Sequence, residues 1–114
     1  MKLVEKEISI EELNTMAEKM FEYLVKTVVD IEKEIMVVDA EMHADEEEFL
    51  LEAGSEQANL WGINIRPKKL PDGNWIEFDS MINIRPSQGN RSRDVHDPKI
   101  REKITKIVNK LVKK

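Results

Sequence analysis

Apolar residues recur at Leu13, Met16, Met20, Leu24, Val28 and Ile31 with spacings of three and four, which predicts an amphipathic helix. Ser9 with Glu12 three positions later reads as a capping box, and Ile8 and Leu13 are placed for a hydrophobic staple around it. The methionines of that stripe read as core. Lys2 to Glu7 reads as a short edge strand. From Ile35 the period drops to two: Met36, Val38, Ala40, Met42 and Ala44 fall on one side, and Val37, Asp39, Glu41, His43 and Asp45 on the other. That is the pattern of a strand with one polar face. Residues 45 to 48 admit two readings, a short helix capped by Asp45 or a turn that makes Glu48 to Ala53 the return strand of a hairpin, and the hairpin is preferred.

Gly54 and Ser55 punctuate the chain before a strand over residues 60–66, and Pro67 to Asn74, containing Pro71-Asp72-Gly73, predicts a turn into a last strand over 75–85. Trp61, Ile63 and Ile65 then oppose Gly62, Asn64 and Arg66. In the same way Ile76, Phe78, Ser80, Ile82 and Ile84 oppose Trp75, Glu77, Asp79, Met81, Asn83 and Arg85. Asp97 as N-cap and Pro98 at the first helical position open a closing helix, with Ile100, Ile104, Ile107, Val108 and Leu111 as its inner stripe. Both stripes need a partner surface. The expected fold is α+β: a two-layer sandwich in which an antiparallel four-stranded meander carries the N- and C-terminal helices on one face, in a single domain over residues 1–114.

The length of 114 residues suits one core. Charged residues make up 36% of the chain and cysteine is absent, which fits a cytosolic protein, suggests a thermophile, and excludes disulfides, thiolate catalysis and Cys-ligated zinc. Glutamates scattered through the first 25 residues argue against a signal peptide, and no apolar run approaches the ~20 residues of a membrane span; the expected location is the cytoplasm. The net charge of −5 hides an asymmetry. Residues 1–84 hold 8 basic and 20 acidic side chains, and residues 85–114 hold 10 basic and 3 acidic. Internal complementarity is the preferred reading of that split, and a basic patch for an anionic partner is the other.

Two identical pentapeptides, Ile63-Asn64-Ile65-Arg66-Pro67 and Ile82-Asn83-Ile84-Arg85-Pro86, each read as a strand end that delivers an Asn and an Arg to the polar sheet face. The second runs into Ser87-Gln88-Gly89-Asn90-Arg91-Ser92-Arg93, a donor-rich loop of the kind an oxyanion or phosphate needs, although it lacks the Gly-Lys-Ser/Thr ending of a phosphate-binding loop. Glu41 and His43, two apart on one strand face, resemble half of a divalent metal site that Asp39 or Asp45, or Glu77 or Asp79 from another strand, would complete with an oxygen ligand suited to Mg²⁺, Mn²⁺ or Zn²⁺.

The strings from Glu41 to Glu47, Leu60 to Asn64, and Trp75 to Arg93 resemble a family of small archaeal and bacterial proteins catalogued only as a domain of unknown function. The resemblance spans nearly the whole chain and implies no assigned activity. Family members often carry glycines ahead of the Glu-x-His, where this chain has Val38-Asp39-Ala40.

Three readings of function follow. The first is a binding module that holds a phosphate-containing ligand or a nucleic-acid end through Asn64, Arg66, Asn83, Arg85, Ser87, Gln88, Asn90, Arg91 and Arg93. The second is a phosphoester hydrolase with Glu41, His43 and Asp79 around a divalent metal held by Glu41 and His43. The third is a homo-oligomer that buries the polar face or a sheet edge. Binding ranks above catalysis because no nucleophile accompanies the lone candidate base, so the sequence leaves enzymatic activity undecided.

Overall fold

The computed structural model describes residues 1–70 and 73–114; Pro71 and Asp72, at the centre of the expected turn, lie outside the described residues. The chain runs β1 (Lys2–Val4), β2 (Ile8–Ser9), α1 (Ile10–Met20), β3 (Val25–Asp30), β4 (Ile35–Val38), α2 (His43–Glu52), β5 (Leu60–Ile65), β6 (Ile76–Glu77), α3 (Pro98–Leu111) and β7 (Val112–Lys113). Five strands form an antiparallel sheet in the order β1-β4-β3-β5-β6, and β2 pairs with β7 in a separate parallel ribbon. The four-stranded meander is therefore corrected to a five-stranded sheet with three helices. Among the described residues no helix is long and apolar enough to cross a membrane.

The helix caps form where the sequence puts them. Ser9 Oγ accepts from the Glu12 amide at 3.1 Å, and Asp97 Oδ1 accepts from the Lys99 amide at 2.9 Å, with Pro98 at the first helical position. The end of α1 departs from expectation. The helix stops at Met20 because Glu22 turns into the left-handed region at φ 71°, and Val25, Thr27, Val28 and Val29 then favour extended backbone. Leu24, Val28 and Ile31 matched helical spacing by coincidence. Val28 belongs to a central strand covered on both faces, which carries no alternation to betray it, and Leu24 and Ile31 flank its two ends.

β4 ends at Val38, short of the expected Asp45, because Asp39 also adopts a left-handed φ of 71°. The chain then turns into α2, so His43 opens a helix instead of facing out from a strand, Glu41 sits in the connection before it, and the preferred hairpin at 48–53 is replaced by the helical alternative. The Trp75–Arg85 strand shrinks to Ile76–Glu77, followed by 3₁₀ turns at Met81–Asn83 and Pro86–Gln88. The two pentapeptides thus share an exit and not an entry. Each Arg-Pro starts a 3₁₀ turn, but only the first copy is a strand.

Two apolar clusters flank the sheet. One combines Leu13, Met16 and Ala17 of α1 and Ile104, Ile107, Val108 and Leu111 of α3 with Val29, Met36, Val38, Trp61, Ile63 and Ile65 from the strands. The other, smaller, joins Leu50 of α2 to Val28, Val37 and Leu60, with Ile82 against it. The sheet is therefore covered on its second face, where open polar groups were expected. Trp75, assigned by alternation to the polar side, is buried in the first cluster. At the β3–β4 turn Asp30 accepts from the amides of Glu32 and Lys33 and from Ser55 Oγ, which ties the turn to the end of α2.

Candidate functional site

A cleft of about 410 Å³ opens on the α2 face of the sheet. Its floor is one rank of side chains across three neighbouring strands: Lys26 of β3 lies opposite Asn64 of β5, which lies opposite Glu77 of β6. His43 and Ala44 from the start of α2 form one wall, Asp79 to Ile82 and Arg93 form another, and Phe21 and Leu24 close the side behind the end of α1.

The polar groups of the floor are fixed from outside the cleft. Glu77 receives Arg66 through Nε and Nη2 at 3.2 and 2.9 Å, and Asn64 Nδ2 donates to Glu77 Oε1 at 2.9 Å and to the Asp79 carbonyl at 3.3 Å. Both partners of that amide nitrogen are acceptors, so the amide orientation is determined. Asn64 Oδ1 is left buried with no partner. Arg93 Nε meets Asp79 Oδ1 at 2.6 Å, which neutralises the second acid. Lys26 enters no ion pair among the described residues and lies 4.8 Å from the centre of the Phe21 ring. The cleft therefore has one uncommitted cation and one uncommitted buried acceptor.

His43 adds a second acceptor. Its Nε2 lies 2.8 Å from the Ile63 carbonyl, which can only accept, so Nε2 carries the proton. Burial, with Lys26 and Arg93 nearby, holds the imidazole below its usual pKa, against the raising pull of the Ile63 carbonyl and Asp79. The neutral ring keeps a free lone pair on Nδ1. One turn further along α2, Glu46 is fully buried: Oε2 accepts from the Ala40 amide at 3.2 Å, Oε1 has no partner, and burial pushes its pKa up to about 10. Glu46 is a neutral carboxylic acid at pH 7.

Most of the other candidate residues are spent within the fold. Asn83 is fully buried and clasps Gly62, accepting from its amide at 2.8 Å and donating to its carbonyl at 2.9 Å, so that a carboxamide takes the place of a peptide in a neighbouring strand. Arg85 lies 4.3 Å over the Trp61 ring and donates to the carbonyls of Leu60, Gln57 and Ile82. Asn90 donates to the carbonyls of Asn83, Ser92 and Asp94. In the 87–93 loop the amides of Gln88, Gly89 and Asn90 bond to Arg85 and Pro86 carbonyls, and Gln88 bonds Arg85 and the Ala58 carbonyl. Ser87 and Arg91 are exposed, and so is Glu41. His43, Asn64, Asp79 and Arg93 come together; Arg66 braces them, and the rest do not join. Among the described residues no group of three or more His, Asp or Glu side chains is arranged to hold a metal ion.

Residues 2–111 match the family model described as a protein of unknown function, DUF5674. The chain belongs to the DUF5674 family. No curated protein and no solved structure matches it. In this DUF5674 chain reading the sequence missed Lys26 on the cleft floor and Glu46 buried behind His43 on α2. Lys26 was hidden on the polar side of an assumed helix. Glu46 was hidden in the acidic run Asp45 to Glu48, although the spacing His43, Glu46, Leu50 marks the buried face of α2 and would have found it.

Proposed function

We propose that the cleft between α2 and the β3-β5-β6 rank binds a small amphipathic anion that carries hydroxyl or N–H donors. The observation that supports this most directly is Lys26, a cation with no ion-pair partner among the described residues, on the cleft floor opposite Asn64, whose own Oδ1 is buried with no protein partner. His43, whose Nδ1 keeps a lone pair, lines the same cleft and offers an acceptor. Lys26 supplies the charge complement, and α2 begins next to the cleft with no side chain capping its first amides, an end that favours negative charge. Phe21, Leu24, Met81 and Ile82 accommodate an apolar portion. A phosphate monoester or a hydroxy-carboxylate fits these demands. Relative to the phosphate loop expected at 87–93, the binding position moves to the cleft, and only His43, Asn64, Asp79 and Arg93 carry over.

The reading is tested by ligand-observed NMR and thermal shift against a panel of sugar phosphates, nucleoside monophosphates and hydroxy acids. Binders are expected to lose about tenfold in affinity with Lys26→Gln and with Asn64→Ser, roughly one charge-assisted or buried hydrogen bond each. A panel without binders at millimolar concentration, or binding that both variants leave unchanged, refutes it.

A further inference from the structure

We propose that the groove between the end of α1 and the outer face of α2 is a docking site for a basic amphipathic helix of another protein. The groove has a volume of about 400 Å³ and an apolar floor that includes Met20 and Phe49, both exposed large side chains. Its rim is made of Asp39, Glu41, Asp45, Glu48 and Glu52, and the lining holds no Lys, Arg or His, only the amino group of Met1, against these five acids. None of these five carboxylates enters an ion pair among the described residues. Asp45, Glu48 and Glu52 follow one another at three- and four-residue spacing on α2, where like charges repel and weaken the helix that carries them. An apolar strip framed by unpaired acids is the complement of a helix with apolar anchors at three- and four-residue spacing and Lys or Arg beside them. Methionine in the floor suits such packing, because its unbranched side chain adapts to the anchor it meets.

The same charge excludes other occupants. Nucleic acid and anionic lipid would be repelled. Among the described residues the basic helix that a second copy of this chain would offer is α3, whose Ile104, Ile107, Val108 and Leu111 are already buried, leaving none of those four as anchors for the groove.

The probe is a fluorescein-labelled synthetic helix of leucine and lysine, followed by anisotropy over a salt series. Binding is expected at low salt and should weaken as salt rises. Glu48→Lys with Glu52→Lys should cost about tenfold in affinity and Phe49→Ser about fivefold, as for loss of rim charges and of one apolar anchor. Glu7→Lys with Glu11→Lys, an equal charge change away from the groove, should change it by less than about twofold. The proposal is overturned by no binding at low salt, by binding indifferent to Phe49→Ser, or by an equal loss from the Glu7 and Glu11 pair. It is also overturned if light scattering shows the unliganded chain self-associating through the same residues. Every altered side chain is exposed, and circular dichroism checks that each variant folds.

Discussion

Replacing Glu46 by glutamine isolates a proton that the fold holds against its chemistry. The carboxyl is fully buried and its pKa rises from 4.5 to about 10, so the folded chain keeps a proton that the unfolded chain releases above pH 4.5. Raising the pH through that window draws the equilibrium toward the unfolded state, by at most ~1.4 kcal/mol per pH unit. Between pH 5 and pH 8 the loss reaches about 4 kcal/mol, a large part of the stability of an ordinary domain. Glu46→Gln keeps an acceptor for the Ala40 amide and has no proton to lose. His43 acts in the opposite sense: its lowered pKa means the unfolded chain takes up a proton first as pH falls below 6.5, so stability is lost toward acid. Below pH 6.5 the two slopes oppose each other, and above 6.5 only that of Glu46 remains. Urea denaturation at pH 5, 6, 7 and 8 should therefore show the variant gaining on the parent steadily, by about 4 kcal/mol at pH 8 relative to pH 5. Parallel stability curves would show that Glu46 is ionised in the folded chain and refute the reasoning.

Two further substitutions test the segment that borders β5. Asn83→Ala strands the amide and carbonyl of Gly62, both buried, and should lower stability by about 3 kcal/mol in chemical denaturation; a loss below ~1 kcal/mol would mean solvent replaces the carboxamide. Gly62→Ala places a methyl 2.5 Å from Ser80 Cβ and Oγ and 3.1 Å from Ile82 Cγ1, so it should cost about 1–3 kcal/mol by overpacking. Adding Ser80→Gly should recover more than half of that loss, and a double variant no better than the single would place the strain elsewhere.

What could be read from the sequence was local. Ser9, Asp97 and Pro98 act within one helical turn, so the starts of α1 and α3 follow from a few residues. The inner stripe of α3 follows from periodicity alone. What was lost depended on partners far along the chain. β3 is buried on both faces, so nothing in Val25 to Asp30 alternates, and Leu24, Val28 and Ile31 offered helical spacing instead. Once β3 is taken for helix, Lys26 cannot be placed beside Asn64, and the rank that floors the cleft disappears. The turn at Asp39 is nearly as silent, since aspartate enters the left-handed region more readily than most residues but is far more often found elsewhere, and without that turn the alternation of residues 35 to 45 reads as one strand. His43 and Asn64 were identified as site residues through a face assignment that holds for Asn64 and fails for His43, which reaches the same cleft from a helix.

The second copy of Ile-Asn-Ile-Arg-Pro has a consequence beyond stability. Along the outer side of β5, the carbonyl of Leu60 is taken by Arg85, the amide and carbonyl of Gly62 by Asn83, and Asn64 by the short strand β6. A strand of six buried residues would otherwise present a bare ladder, the template on which another chain can add and a fibril can grow. Side chains on a folded loop fill that ladder and offer no backbone of their own for the next strand to follow. The residues that look most like a recognition motif in this sequence thus serve to keep β5 from being recognised, and mutations at Asn83 or Arg85 should surface in a cell first as aggregation.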